Sequence, residues 1–91
     1  MKAEERRSLY EKAIKKWGIN DQVFMVFEEC AELINALAKA KRHRIPKKDI
    51  ITELADVAIM VEQMAYYFGE VEFRKEKERK LERLKVKLTN Y

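Results

Sequence analysis

Three glutamates stand inside an otherwise almost entirely apolar stretch, "VFMVFEECAELINALA", at residues 23–38. On a helix, each residue turns about 100° and rises about 1.5 Å, so Glu28, Glu29 and Glu32 fall within an arc of roughly 100° spread over about one turn. No Lys or Arg lies three or four positions from Glu28 or Glu32, so no basic side chain of the same helix can pair with them. The stretch therefore predicts an acidic helix face without its own counter-charge.

A second acidic pair occurs in "ITELADVAIMV", where Glu53 and Asp56 stand three residues apart and point to the same side of a helix. Solvated helix faces are the usual explanation for such acids, but the apolar surroundings fit it poorly. Two carboxylates ~4 Å apart repel by about 4 kcal/mol at an effective dielectric of ~20, and desolvation adds several kcal/mol more. Acids converging from two helices therefore need a compensating positive charge.

A divalent cation would supply that charge. A ligand set made only of carboxylate oxygens selects Mg²⁺, with Mn²⁺ as a second possibility, over Zn²⁺. We expect Cys30 and His43 to be structural or incidental, because Cys30 would point away from the acids and His43 lies in a basic loop. Mg²⁺ held by a few carboxylates usually takes substrate phosphates as further ligands, so the predicted chemistry is phosphoryl or nucleotidyl hydrolysis.

The composition indicates an all-α protein. The chain has two Gly, one Pro, 47% hydrophobic and 40% charged residues, which is typical of helices joined by short turns. Gly18 and Gly69 are predicted helix stops, and Pro46 suits the start of a helix. The predicted helices run from about Ala3 to Trp17, from a cap at Asn20 or Asp21 to about Arg42, from about Lys47 to Phe68, and through residues 71–88.

Length and targeting features set the broad class. The 91 residues correspond to one domain, near the lower limit at which a single chain buries a comfortable core. Association with a second copy is therefore expected. A single cysteine, no signal-like apolar block and no apolar run near ~20 residues predict a soluble, cytoplasmic protein of a reducing compartment, without a membrane.

The basic charge of the chain is confined to its last segment. Residues 1–70 contain equal numbers of basic and acidic residues, so the whole net charge of +4 comes from residues 71–91. This excess supports an alternative function, a non-catalytic helical binding module whose basic C-terminal helix contacts nucleic acid or an acidic partner. The acids alternate with the basic residues as on an ordinary exposed helix, so packing is the favoured role of this helix and a nucleic-acid partner is not expected.

Two motifs together resemble a known family. "EECAE" is an EExxE motif, "ELAD" is an ExxD motif, and 20 residues separate Glu32 from Glu53. Over residues 17–70 the chain resembles the MazG-type all-α nucleotide pyrophosphohydrolases. The resemblance implies a four-helix bundle completed by a homodimer or homotetramer, and hydrolysis of a nucleoside triphosphate, often a deoxynucleotide, to the monophosphate and pyrophosphate. Phosphoribosyl-ATP pyrophosphohydrolases share the acidic helices, so that reaction is a close alternative.

The resemblance also implies roles for the acidic residues. Residues 1–91 would form one such domain, with Glu29, Glu32, Glu53 and Asp56 as Mg²⁺ ligands. Glu28 and Glu29 are the candidate catalytic residues. Glu28 would be either an additional ligand or the group that orients or deprotonates the attacking water.

Two further groups of residues are candidates for substrate contacts. Lys39, Arg42 and Lys48 follow one acidic helix or begin the next and could contact phosphate oxygens, although a solvated basic loop explains each of them equally well. A second group precedes the EExxE motif, where a base pocket could form by aromatic stacking and amide recognition: Trp17, Gln22 and Phe24. Core packing is the alternative for both aromatic residues.

Overall fold

The computed structural model describes residues 1–90, which form four α-helices and no strand. The helices are α1 (Ala3–Trp17), α2 (Ile19–Arg42), α3 (Lys47–Phe68) and α4 (Glu70–Thr89). The all-α prediction is confirmed. None of the helices in the described range combines the length and the apolar character that crossing a membrane requires.

Single glycines connect α1 to α2 and α3 to α4. Gly18 has φ 88° and Gly69 has φ 149°, both in the positive region that side chains disfavour. The N–H of Gly18 donates to the carbonyl of Ile14, and the N–H of Gly69 donates to the carbonyl of Ala65. The predicted helix ends at Trp17 and Phe68 are therefore confirmed, because each glycine closes the last turn of the helix before it.

The predicted cap of α2 is wrong. The helix begins at Ile19, and neither Asn20 nor Asp21 caps it, because Gly18 occupies the cap position without a side-chain hydrogen bond. The carbonyl of Gly18 accepts the N–H of Gln22 at 3.2 Å, so the connecting glycine itself starts the new helix. The same arrangement at Gly69 starts α4 at Glu70, one residue ahead of the segment expected from the sequence.

The two long helices, α2 and α3, pack against each other in antiparallel register. Gln22 near the start of α2 contacts Gln63 near the end of α3. Glu29, seven residues further along α2, meets Asp56, seven residues earlier along α3. Because residues seven apart return to nearly the same side of a helix, these pairs lie along one seam between the two helices.

Helix α1 contacts α3 and the start of α4 at one end of the α2–α3 pair. Tyr10 is buried, and its ring centroid lies 6.4 Å from that of Tyr66. Arg6 pairs with Glu62, which lowers the pKa of that carboxyl group, and Arg7 pairs with Glu70 at 3.0 Å. These contacts orient α1 without extending over the acidic part of the seam.

The single chain is open for its size. Its accessible surface is 7649 Å², whereas a compact monomer of this mass exposes about 5,600 Å². Its radius of gyration is 16.0 Å, against about 12 Å for a compact domain of this length. The apolar side of α2, which includes Phe24, Phe27 and Ile34, faces outward, and every described residue of α4 after Glu70 is exposed.

Candidate functional site

Three carboxylates converge between α2 and α3 at the middle of the seam. Glu29, Glu53 and Asp56 each offer one oxygen atom, and these atoms all lie within 4.8 Å of one another. The register of the antiparallel helices produces this arrangement, because Glu29 lies opposite Asp56 and Glu53 stands one turn from Asp56 on the same helix. The structure thus joins acids of both motifs into one cluster.

Within residues 1–90, the cluster has no positively charged partner. Oε2 of Glu29 and Oε2 of Glu53 are buried and have no hydrogen-bond partner, and no ion pair within residues 1–90 includes a member of the cluster. Burial raises the pKa of both glutamates, and the neighbouring carboxylates of Glu32 and Asp56 raise each pKa further. Buried carboxylates normally have partners, so this pair requires a ligand of opposite charge or a proton.

These acids fit a hard divalent cation. The converging ligand atoms are all carboxylate oxygens, which suit Mg²⁺ or Mn²⁺, and the two oxygens without partners lie in the same cluster. Cys30 is half-buried, and His43 lies past the end of α2. Neither belongs to the cluster among the described residues.

Glu32 and Lys39 lie in a cavity of about 360 Å³ on one side of the cluster. Glu32 is close enough to raise the pKa of Glu29 and Glu53, although it is not one of the three most tightly grouped acids. The other residues that line this cavity are Asn35, Ala36, Ile45, Asp49 and Glu53. Two other basic candidates, Arg42 and Lys48, are exposed and do not line it.

A second cavity, of about 490 Å³, lies on the other side of the cluster and is mostly apolar. It brings together the three candidate base-binding residues, Trp17, Gln22 and Phe24, with Glu28; Asp21, Met25 and Met60 complete its lining. Trp17 and Phe24 are 55% and 62% exposed, so neither is a core residue in the single chain. Glu28 thus faces this cavity and is not one of the three clustered carboxylates.

Gln63, which was not identified from the sequence, holds the cavity-lining residue Gln22 by a hydrogen bond. Its Nε2 donates to Oε1 of Gln22 at 2.7 Å, and the two side chains are 3% and 6% exposed. Its position, seven residues after Asp56, was a usable signal, since it places the amide on the same side of α3 as the acid. Met60 was missed because nothing in an apolar helix distinguishes a cavity wall from core.

The fold and the site together define an all-α protein with a carboxylate cluster between two antiparallel helices and a cavity on either side of it. No protein-family model, no curated protein and no solved structure matches the chain.

Proposed function

We propose that this protein is a Mg²⁺-dependent nucleotide pyrophosphohydrolase of the MazG type, which converts a nucleoside or deoxynucleoside triphosphate and water to the monophosphate and pyrophosphate. The observation that carries the proposal is the pair of buried carboxylate oxygens without partners, on Glu29 and Glu53. Mg²⁺ held by a few carboxylates usually completes its coordination with waters and substrate phosphates, so a metal at this cluster would also coordinate phosphate oxygens.

The carboxylate cluster would hold the metal. Glu29, Glu53 and Asp56 would be its ligands, and Glu32 would join them from the adjacent cavity wall. Mg²⁺ fits this oxygen donor set best, with Mn²⁺ as a substitute. When bound, the metal supplies positive charge to the phosphate oxygens and lowers the pKa of a bound water.

The flanking cavities suit the two ends of the substrate. The larger one offers the rings of Trp17 and Phe24 for stacking on the base, and the amide of Gln22 for a hydrogen bond. Lys39 lines the smaller one together with Glu32 and Glu53, and its ammonium group would bind oxygens of the leaving pyrophosphate. The α-phosphate would then lie between the cavities, at the cluster.

Glu28 would take part in the proton transfer. Its side chain lines the larger cavity, which we call the base cavity, and Glu28 directly precedes Glu29 of the cluster in the sequence. A water oxygen attacks the α-phosphorus, the bond to the bridging oxygen of the β-phosphate breaks, and Glu28 accepts the proton of the water. The electron pair of the broken bond leaves with pyrophosphate.

We also propose that the working form contains at least two copies of the chain. The surface exposed beyond that of a compact monomer is about 2,000 Å² for each chain, so a pair would bury on the order of 4,000 Å², which is in the range of obligate homodimers. A second copy would cover the outward apolar sides of α2 and α3, whose exposed residues include Phe27, Ile34, Ile51, Leu54 and Val61.

The direct test is hydrolysis of a panel of ribonucleoside and deoxyribonucleoside triphosphates and phosphoribosyl-ATP, with and without Mg²⁺, followed by detection of pyrophosphate. The double variant Asp56→Asn with Glu32→Gln should lose activity. Glu76→Gln on α4, an exposed acid remote in sequence from both motifs, is the matched control and should keep it. Activity that survives the double substitution would exclude the proposed metal site, and activity confined to phosphoribosyl-ATP would assign the alternative reaction.

A further inference from the structure

Two buried amides link α2 to α3 beside the base cavity. Gln22 lines that cavity. Gln63 does not line it, and its Nε2 donates a hydrogen bond to Oε1 of Gln22. Burying an amide costs free energy unless its polar atoms are satisfied, and apolar side chains could pack the two helices at this level without that cost. The pair therefore needs an explanation beyond helix packing.

The hydrogen bond determines which part of Gln22 is available to a ligand. A glutamine amide has one oxygen, which accepts, and one NH₂ group, which donates. Since Oε1 of Gln22 accepts from Gln63, the NH₂ group of Gln22 is the part left to donate to a ligand in the cavity. If Gln22 turned over alone, two NH₂ groups would face each other, so the orientation of one amide is coupled to that of the other.

The spacing along the helices suits a nucleotide. Gln22 and Glu29 are seven residues apart on one side of α2, which places them about 10 Å apart along the axis. Gln63 and Asp56 have the same separation on α3. This span is comparable to the distance from the α-phosphate of a nucleotide to the far edge of its base. A substrate phosphate at the cluster would therefore put that edge beside Gln22.

We infer that Gln63 is a positioning residue that holds Gln22 as a hydrogen-bond donor, so that the site selects bases carrying a carbonyl oxygen at the edge far from the sugar. Uracil, thymine, guanine and hypoxanthine have this oxygen, whereas cytosine and adenine carry an amino group there. An amino group facing the NH₂ of Gln22 would leave buried donors unpaired, which disfavours binding strongly. The inference rests on the proposed function of the same site.

The test compares kcat/KM for dUTP and dCTP, which differ at this edge, and for the purine pair ITP and ATP. The wild-type protein should prefer dUTP by at least about tenfold, the effect of one unpaired buried donor. Gln63→Met, similar in size but unable to donate, should move the ratio toward one. The variant Gln63→Glu is measured at a pH that ionises the introduced carboxyl group. The amide of Gln22 must then donate to this carboxylate and turn its own oxygen to the cavity. The preference should therefore reverse to dCTP.

A structural role alone would not move this ratio, and a control variant shows the difference. Glu62→Gln removes the negative charge that pairs with Arg6, one residue before Gln63. It should lower the melting temperature and leave the dUTP to dCTP ratio unchanged. An unchanged ratio in folded Gln63→Met and Gln63→Glu, or a wild-type preference for dCTP, would overturn the inference.

Binding of the monophosphates separates the inference from the proposed function. If the wild-type protein hydrolyses no nucleotide but binds dUMP more tightly than dCMP, and Gln63→Met loses that difference, base selection stands and the hydrolase proposal fails. If binding shows no preference either, both fail. Hydrolysis without base preference would overturn only the role of Gln63.

Discussion

Glu29 on α2 and Glu53 on α3 hold carboxylate oxygens within 4.8 Å of each other, and each has its Oε2 atom buried without a hydrogen-bond partner. In the absence of a cation, ionising both groups brings like charges together in a poorly solvated place. The same residues therefore oppose folding when both are ionised, and binding of a cation would relieve this repulsion. Charge repulsion and cation binding should both change the stability of the protein. Unfolding experiments can measure these changes separately from catalysis.

Saturating Mg²⁺ or Mn²⁺ should raise the melting temperature. A ligand at about 100 times its Kd stabilises the native state by about 2.7 kcal/mol, and about 1 kcal/mol shifts the melting temperature of a domain of this size by roughly 4–8 °C. We expect a shift of at least about 5 °C by circular dichroism relative to the protein in EDTA. Glu62→Gln should retain the shift, whereas Glu29→Gln with Glu53→Gln should abolish it. A wild-type melting temperature that does not respond would argue against a preformed site.

Replacing Glu53 by Gln should stabilise the metal-free protein while it destroys activity. The substitution removes one of the mutually repelling charges and keeps the size of the side chain. Thermal unfolding in EDTA measures the stability, and pyrophosphate release in the presence of Mg²⁺ measures the activity. Glu76→Gln is the opposite case, since Glu76 pairs with Arg79 and gains nothing from neutralisation. A metal-free Glu53→Gln protein less stable than wild type would mean that this carboxylate is satisfied in solution.

Below neutral pH the metal-free protein should become more stable. The folded-state pKa values of Glu29 and Glu53 are raised above the ordinary value of 4.5, so the folded chain binds protons more tightly than the unfolded chain. Stability should therefore fall as pH rises from about 4.5 through these raised values. Melting temperatures in EDTA across this range test the slope, which Glu29→Gln with Glu53→Gln should flatten.

Glu62 makes stability depend on pH in the opposite direction, and its effect lies at lower pH. Its pairing with Arg6 lowers its folded-state pKa, so its contribution to stability is complete above about 4.5 and is lost as pH falls through the lowered value. The melting temperature of the metal-free protein should thus decline on both sides of a weakly acidic maximum. A stability that only rises from acid to neutral pH would contradict the raised pKa values of Glu29 and Glu53.

The helices could be predicted from the sequence because their signals are local. Glycines after Trp17 and Phe68 and a proline before Lys47 mark chain positions where a helix must stop or start, and the end of α1 and both ends of α3 follow these signals. The caps at Asn20 and Asp21 were wrong because one glycine can end one helix and begin the next, which removes the connection that those residues would have capped.

The convergence of the acids could also be expected, since spacing places each pair on one side of its helix. What spacing could not provide was the register between α2 and α3, which depends on packing across many residues. That register brings Glu29 to Glu53 and Asp56, whereas Glu28 lines the larger, mostly apolar cavity. It also turns the apolar side of α2 outward, a result that the periodicity alone does not distinguish from a core-facing side.

Ile34 is the most informative position for testing the second copy. It lies on the outward side of α2 with Phe27 and is 68% exposed, although it is aliphatic and near the middle of the longest helix. Ile34→Glu should leave the helix content of the single chain intact, because its side chain contacts little within the chain, but it should disrupt packing of a second copy against α2.

The measurement is sedimentation equilibrium combined with circular dichroism. The wild-type protein should sediment at a multiple of 10.9 kDa, and Ile34→Glu should shift it toward the single-chain mass with a lower melting temperature. Ser8→Glu, which places the same side chain at an exposed polar position of α1, is the control and should change neither. A wild-type protein that sediments at 10.9 kDa would rule out the assembly, while leaving the carboxylate cluster, which lies wholly within one chain, unaffected.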